Sequence, residues 1–244
     1  AMIEARAKER HEWELAEHRE KLKAREAKAR KTGRKPGGRA PEPPVAGPAP
    51  KDQVNLTDAD SCIMPVAGGG FEQAYNAQAT VASGSLLVIT NDVVQATNDK
   101  REITPALEAL ARLPEALGKP ETLLADSGYF SEANVNACAE AKIAPLIAPG
   151  RERHHLSWKD RFAAAPPPPE TATPLEAMAH RLATPEGRQL YALRKQTPEP
   201  VFGIIKSVMG FRQFHLRSLD KVRGEWNLVT LAWNVKRMFI LQPA

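Results

Sequence analysis

Two cysteines, Cys62 and Cys138, stand 76 positions apart in a chain of 244 residues. That is too few for a disulfide framework or a four-ligand zinc site, and both read as reduced thiols of a cytoplasmic protein. Aromatic residues make up only 6% of the chain, and no apolar run approaches the length of a membrane span. No basic start, apolar stretch and cleavage site opens the chain as a secretory leader would. Residues 3–31 contain neither glycine nor proline, so nothing interrupts a helix there. The chain opens Ala1-Met2 inside that helical pattern, which reads as a fragment's beginning. Against these absences stand 42% apolar and 26% charged residues, a composition that excludes wholesale disorder and allows one or two domains.

The net charge of +5 is unevenly spread. Residues 1–40 hold 13 Lys and Arg against 7 Asp and Glu, and residues 188–237 hold 10 against 3. Two basic blocks flank an acidic middle, a distribution suited to a polyanion such as nucleic acid or to solvated helix faces.

Residues 1–32 read as a charged, exposed helix with i,i+4 pairs at Glu4–Lys8 and Glu17–Lys21. Residues 33–52 read as a Pro/Gly-rich extended linker. A globular pattern fills 53–241. It starts with turn chemistry at Asn55–Asp60 and a glycine run at 68–70, followed by apolar runs at 74–81 and 86–94 with a hairpin-like spacer. Ile103, Leu107, Leu110 and Leu113 predict a helix over 100–112, and Leu123–Ala125 a short buried strand. Ser131 caps the next helix, and Ile143–Ile147 is a further strand. Residues 150–185, with prolines at 166–169, read as a surface insertion. The remainder is helical, with a break around Pro198 and Pro200. Val222, Trp226, Val229 and Trp233 form a stripe better read as core than as a base-stacking surface. The plan is mixed α/β.

Asp126 follows the Leu123–Ala125 strand and precedes Gly128, at a strand carboxyl end where sites form in open α/β sheets. Starting a turn or capping the next helix is its plainer role. Further along, Tyr191 and Arg194 are i,i+3 neighbours, and Glu199 and Lys206 lie two turns apart on one helix face. His154, His155 and His180 hint at a metal, but an i,i+1 pair points two ways and the proline run favours a loop. The glycines at 68–70 lack the context of a phosphate loop.

Tyr191, Arg194, Glu199 and Lys206 are spaced Y-x2-R-x4-E-x6-K. This resembles the Y-x2-R-x3-E-x6-K signature of insertion-sequence DDE transposases of the IS4-like family, with one residue more between Arg and Glu. LADSGYFSEANV at 124–135 is similar to that family's segment around its second aspartate. NLTDADS with IM at 55–64, Tyr75-Asn76-Ala77-Gln78, Asn98-Asp99-Lys100 and 208–234 are further matches, in order, across 53–241.

The resemblance implies an RNase H-like mixed sheet flanked by helices and a DNA-cutting and -joining activity. It also implies two divalent ions, Mg²⁺ or Mn²⁺, held by three carboxylates. Asp126 and Glu199 match the second and third ligands; Tyr191, Arg194 and Lys206 match accessory positions that hold phosphate. The implied partners are double-stranded DNA, at transposon ends and target, and further copies in a homo-oligomer, with no membrane. The implied location is the bacterial cytoplasm, at the nucleoid.

The first aspartate is unassigned. Counting back from Asp126, the helix at 100–112 and the runs at 86–94 and 74–81 fill the third and second strand places. The first strand, with its aspartate, is therefore expected upstream of this fragment, and residues 1–50 look like the insertion that follows it. Asp58 and Asp60 sit in turn text, Asp92 in the third strand, and Asp99 reads as an N-cap, so none of the four is carried as catalytic. The competing readings are an inactive DNA-binding remnant and a nuclease that does not transpose.

Overall fold

The computed structural model describes residues 2–34, 37–50, 52–66, 69–150 and 172–242. It divides into two compact units, Ala1–Ala59 and Asp60–Ala244. The first is built on helix α1, Met2–Thr32. The Pro/Gly-rich text after it is tied back to the helix: Arg10 pairs with Asp52 and donates to the Gly47 carbonyl, and His18 Nε2 lies 3.1 Å from the Pro41 carbonyl.

In the second unit a hairpin of β1 (Cys62–Pro65) and β2 (Phe71–Ala74) precedes a second hairpin of β3 (Asn76–Val81) and β4 (Val88–Val94). Helix α2 (Ile103–Ala111), strand β5 (Thr122–Ala125), helix α3 (Glu132–Glu140) and strand β6 (Ala144–Ile147) follow. β5 and β6 are parallel, as a strand–helix–strand unit requires. Among the described residues four further helices follow: α4 (Pro174–Ala183), α5 (Pro185–Ala192), α6 (Pro198–Ser207) and α7 (Leu219–Leu241). The fold is mixed α/β. Where the resemblance implies one mixed sheet, hydrogen bonding divides the described strands into three two-stranded sheets, because no described strand lies beside β3 or β5 on its second edge.

Local chemistry accounts for the element ends. The Ser131 hydroxyl accepts from the Asn134 amide and caps α3. Thr173 and Glu176 form a reciprocal capping box at α4, with Pro174 in the first turn. Within the span read as an insertion, α4 thus packs on the fold through buried Met178. The proline run and His154–His155 lie outside the described residues.

Apolar side chains gather in two clusters. One joins α2, β5, α3 and α4 through Ile103, Leu107, Ala125, Val135, Cys138 and Met178. The other joins β4, α6 and α7 through Val88, Val93, Val201, Ile205, Val222 and Trp226. Both tryptophans of the α7 stripe are core: Trp226 Nε1 donates to the Gln78 carbonyl at 2.9 Å and Trp233 Nε1 to the Leu86 carbonyl at 2.8 Å. α7 also lies along the outer edge of β4. Asn234 accepts from the Val88 amide and donates to the Val88 carbonyl, both at 2.8 Å, while Arg223 and Arg237 donate to the carbonyls of Val93 and Ser85. These side chains take the place of a neighbouring strand.

Candidate functional site

Strand β5 ends in Asp126, and the chain turns sharply through a 3-10 turn at Ser127–Tyr129. The Gly128 amide donates to Asp126 Oδ1 at 2.7 Å. A Cβ at position 128 would lie 2.9 Å from Asp126 Oδ1 and 3.4 Å from Asp99 Oδ2. Glycine here lets two carboxylates approach the same patch of backbone. The capping role of Asp126 and its placement at a strand end are therefore both present in one residue.

Asp99 does not cap α2. The helix begins at Ile103, four residues later, with Glu102 in the cap position and no side-chain cap. The Asp99 carboxylate instead accepts from Asn76 Nδ2 and Gln78 Nε2, each at 2.8 Å. Two side-chain amides on strand β3 thus hold the carboxylate in charge-assisted hydrogen bonds. Gln78 Oε1 in turn accepts from the Tyr129 hydroxyl at 2.5 Å. Burial, then Asp99, then Asp126, push the Tyr129 phenol well above its ordinary pKa, against the opposing effect of the Gln78 bond. It is a neutral donor at every physiological pH. This Asn76–Gln78–Asp99–Tyr129 network escaped the sequence reading because it links positions far apart in the chain; the side-by-side polar residues of Tyr75–Gln78, in an otherwise apolar strand, were its only signal.

On the helical side, α5 passes through a 3-10 turn at Leu193–Gln196 into α6. There Thr197, buried, donates its hydroxyl to the Leu193 carbonyl at 2.7 Å. As a result Arg194 Nη1 lies 3.5 Å from Glu199 Oε1, and the guanidinium sits 5.7 Å from the Tyr191 ring centroid. Arg194 is 19% exposed and Glu199 58%. The Arg194 Nε is buried without a hydrogen-bond partner, a cation with unused donor capacity. Glu199 occupies the first turn of α6 and Lys206 the last, each favoured by the helix dipole.

Asp126 from one stretch of chain, and Arg194 and Glu199 from another, line one cavity of about 1380 Å³; Tyr191 and Lys206 are not among its lining residues. Gln78, Asp92, Glu102 and Tyr129 line it too. Asp92 is engaged by Arg223 Nε at 2.8 Å. Glu102 is buried, and burial, then Asp99 and Asp92, raise its pKa. Asp60 serves the helical end of the unit, where its Oδ2 accepts from the Leu219 amide at 2.9 Å and caps α7 from a distant part of the chain.

Mg²⁺ or Mn²⁺ takes hard oxygen donors, and the carboxylates of Asp126 and Glu199 are of that kind. Among the described residues, however, no group of three or more His, Cys, Asp or Glu side chains is placed to hold a metal ion. The donor set as it stands does not fit the implied metal pair. Nor does any described helix have the length and apolarity to cross a membrane.

Comparison with curated proteins and with solved structures gives no match. The family model described as "Transposase DDE domain" matches residues 53–235, from the Asn55–Asp60 turn through the Asn234 clamp on β4. With three-quarters of its length inside that model, the chain belongs to the DDE transposase family.

Proposed function

We propose that this chain is the carboxyl-terminal part of an insertion-sequence transposase of the IS4-like group. On this reading it is built on an RNase H-like fold, with Tyr191, Arg194, Glu199 and Lys206 as its Tyr-Arg-Glu-Lys signature. The observation that carries the reading is that Asp126 lines the same cavity as Arg194 and Glu199, about 70 residues further along the chain. Asp126 and Glu199 would be two of the metal ligands of the complete site, and Arg194 and Lys206 would hold the phosphodiester. Residues 53–241 form the catalytic domain, with residues 1–32 a charged helix and 33–52 a linker.

The reaction class is metal-dependent phosphodiester hydrolysis followed by strand transfer on double-stranded DNA, by a protein of the bacterial nucleoid that works as a homo-oligomer when complete. A two-metal displacement would require three carboxylates, and only two are matched here. The reading therefore expects DNA held through the basic blocks without cleavage, which is the behaviour of an inactive remnant. A supercoiled plasmid incubated with the purified chain and Mg²⁺ or Mn²⁺ tests this: the expected result is a salt-sensitive complex and no nicked circle. Metal-dependent nicking abolished by Asp58→Ala or Asp60→Ala would overturn the assignment of the missing carboxylate to an upstream strand. Loss of nicking with Asp60→Ala counts only if the variant remains folded, since Asp60 caps α7.

A further inference from the structure

The loop between α6 and α7, residues 208–218, is seated on the core by its aromatic residues. The Phe211 and Phe214 rings lie 6.3 and 6.4 Å from the Trp226 ring, and Phe214 also stands edge-on to Tyr75 at 6.1 Å. Such ring contacts hold beyond the area they bury. At one end of the loop the Phe211 amide donates to the Ile205 carbonyl at 3.1 Å, and at the other Asp60 holds the Leu219 amide. None of these anchors involves Glu225.

Between them, two successive exposed residues give their main-chain amides to one carboxylate. The His215 amide donates to both oxygens of Glu225 and the Leu216 amide to Oε2, all at 3.0 Å. Consecutive N–H groups converging on one anion form a nest, an arrangement by which backbone takes phosphate oxygens. The surroundings are cationic. Arg212 and Arg217 flank the pair in the loop, and Lys221 stands one turn before Glu225 on the same face of α7. All three are exposed, and among the described residues none of them has an ion-pair partner.

We infer that the His215–Leu216 nest is a site for a phosphate oxygen of duplex DNA, and that Glu225 fills it as an internal stand-in until DNA displaces it. The inference rests on the DNA-binding reading above, to which it adds a main-chain contact and an intramolecular competitor. The exchange replaces one anion by another on the same donors. Arg212, Arg217 and Lys221 tip it towards DNA, because a duplex brings further phosphates on either side of the one in the nest. The aromatic rings and Asp60 hold the loop, so the nest keeps its shape when the carboxylate leaves. Main-chain donors carry no base preference, and the contact positions the duplex without reading its sequence. If Glu225 were instead a brace for the loop, its removal would weaken DNA binding; as a stand-in, its removal strengthens it.

The test titrates the whole chain with a short duplex. In the unaltered protein the His215 and Leu216 amide resonances should shift on addition of DNA, a readout that stands even if a variant fails to fold. Glu225→Gln should bind the duplex about tenfold tighter, because a neutral amide competes for the nest less well than a carboxylate. Asp220→Asn makes the same change of charge on a neighbouring exposed residue and should gain about threefold at most, the effect of a screened charge alone. Inorganic phosphate should shift the two amides of Glu225→Gln at about a tenth of the concentration the unaltered chain requires. Weaker DNA binding by Glu225→Gln, or DNA binding that leaves both amides unmoved, overturns the nest and leaves the DNA-binding reading standing. An equal gain from the two variants overturns the stand-in role of Glu225. Phosphate taken up at the two amides with no duplex bound by any of the three proteins overturns DNA as the source of the phosphate, and the DNA-binding reading with it.

Discussion

Truncating Asn234 tests whether α7 substitutes for a strand beside β4. Its side-chain amide makes two 2.8 Å bonds to the main chain of Val88, a residue only 5% exposed. Asn234→Ala removes both and leaves a buried amide and carbonyl unsatisfied. Each such group costs about 1–3 kcal/mol, so a loss of about 2–6 kcal/mol is expected. For a unit of this size a kilocalorie lowers Tm by about 2–4 °C, giving a fall of about 4–24 °C in a thermal melt. Hydrogen exchange at the Val88 amide should accelerate in parallel. Lys236→Ala, two residues away and exposed, is the control and should move stability by no more than about 0.5 kcal/mol. An Asn234→Ala variant as stable as that control would refute the edge-capping account, and with it the reason for placing α7 along β4 rather than across it.

Arg212, Arg217 and Lys221 are exposed, whereas Arg223 and Arg237 of the same basic block are spent on β4 and its turn. Neutralising the first three should lower the slope of log affinity for duplex DNA against log salt by up to about 2.7; an unchanged slope would exclude them as phosphate contacts. The raised pKa of Glu102 means that the folded state holds its proton more tightly than the unfolded chain. Its contribution to stability is therefore complete below the ordinary carboxylate range and is lost as pH rises through the folded value. Glu102→Gln should flatten the decline in Tm over that interval, and a parallel decline would show that other groups cause it. Cys138 is fully buried with its thiol pushed up to about 11, so a thiol reagent should label Cys62 alone in the native protein and both cysteines after unfolding.

The elements governed by neighbours in sequence were legible. Ser131 and its three-residue reach to Asn134, the i, i+4 and i+11 tryptophan stripe of α7, and the short apolar run before Asp126 each carry their cause within one helix or strand. Asp99 shows where that reading fails. An aspartate ahead of a helix is a natural cap, and it is β3, with Asn76 and Gln78 standing 23 and 21 residues earlier in the chain, that supplies the carboxylate's donors. Asp60 as a remote cap for α7 was hidden in the same way. The β1–β2 hairpin went unseen because its strands are four residues long and largely exposed, with no alternation to betray them. Helix α4 was obscured by the composition of the proline run before it, although Thr173-Pro174-Leu175-Glu176 spells out a capping box. Within the site, the Arg194–Glu199 approach depends on a 3-10 turn that residue spacing alone does not disclose.

The division of the apolar interior has a thermodynamic consequence. Each cluster is organised around its own pair of strands, β3–β4 in one case and β5–β6 in the other, and among the described strands no hydrogen-bonded ladder couples the pairs. Cooperativity in a small domain comes from an interior that must be lost all at once, and this unit has two interiors. Its denaturation should accordingly be broad, with a midpoint that differs between the Trp226 and Trp233 fluorescence of one half and the reactivity of Cys138 in the other. A single value for unfolding free energy would then describe neither half.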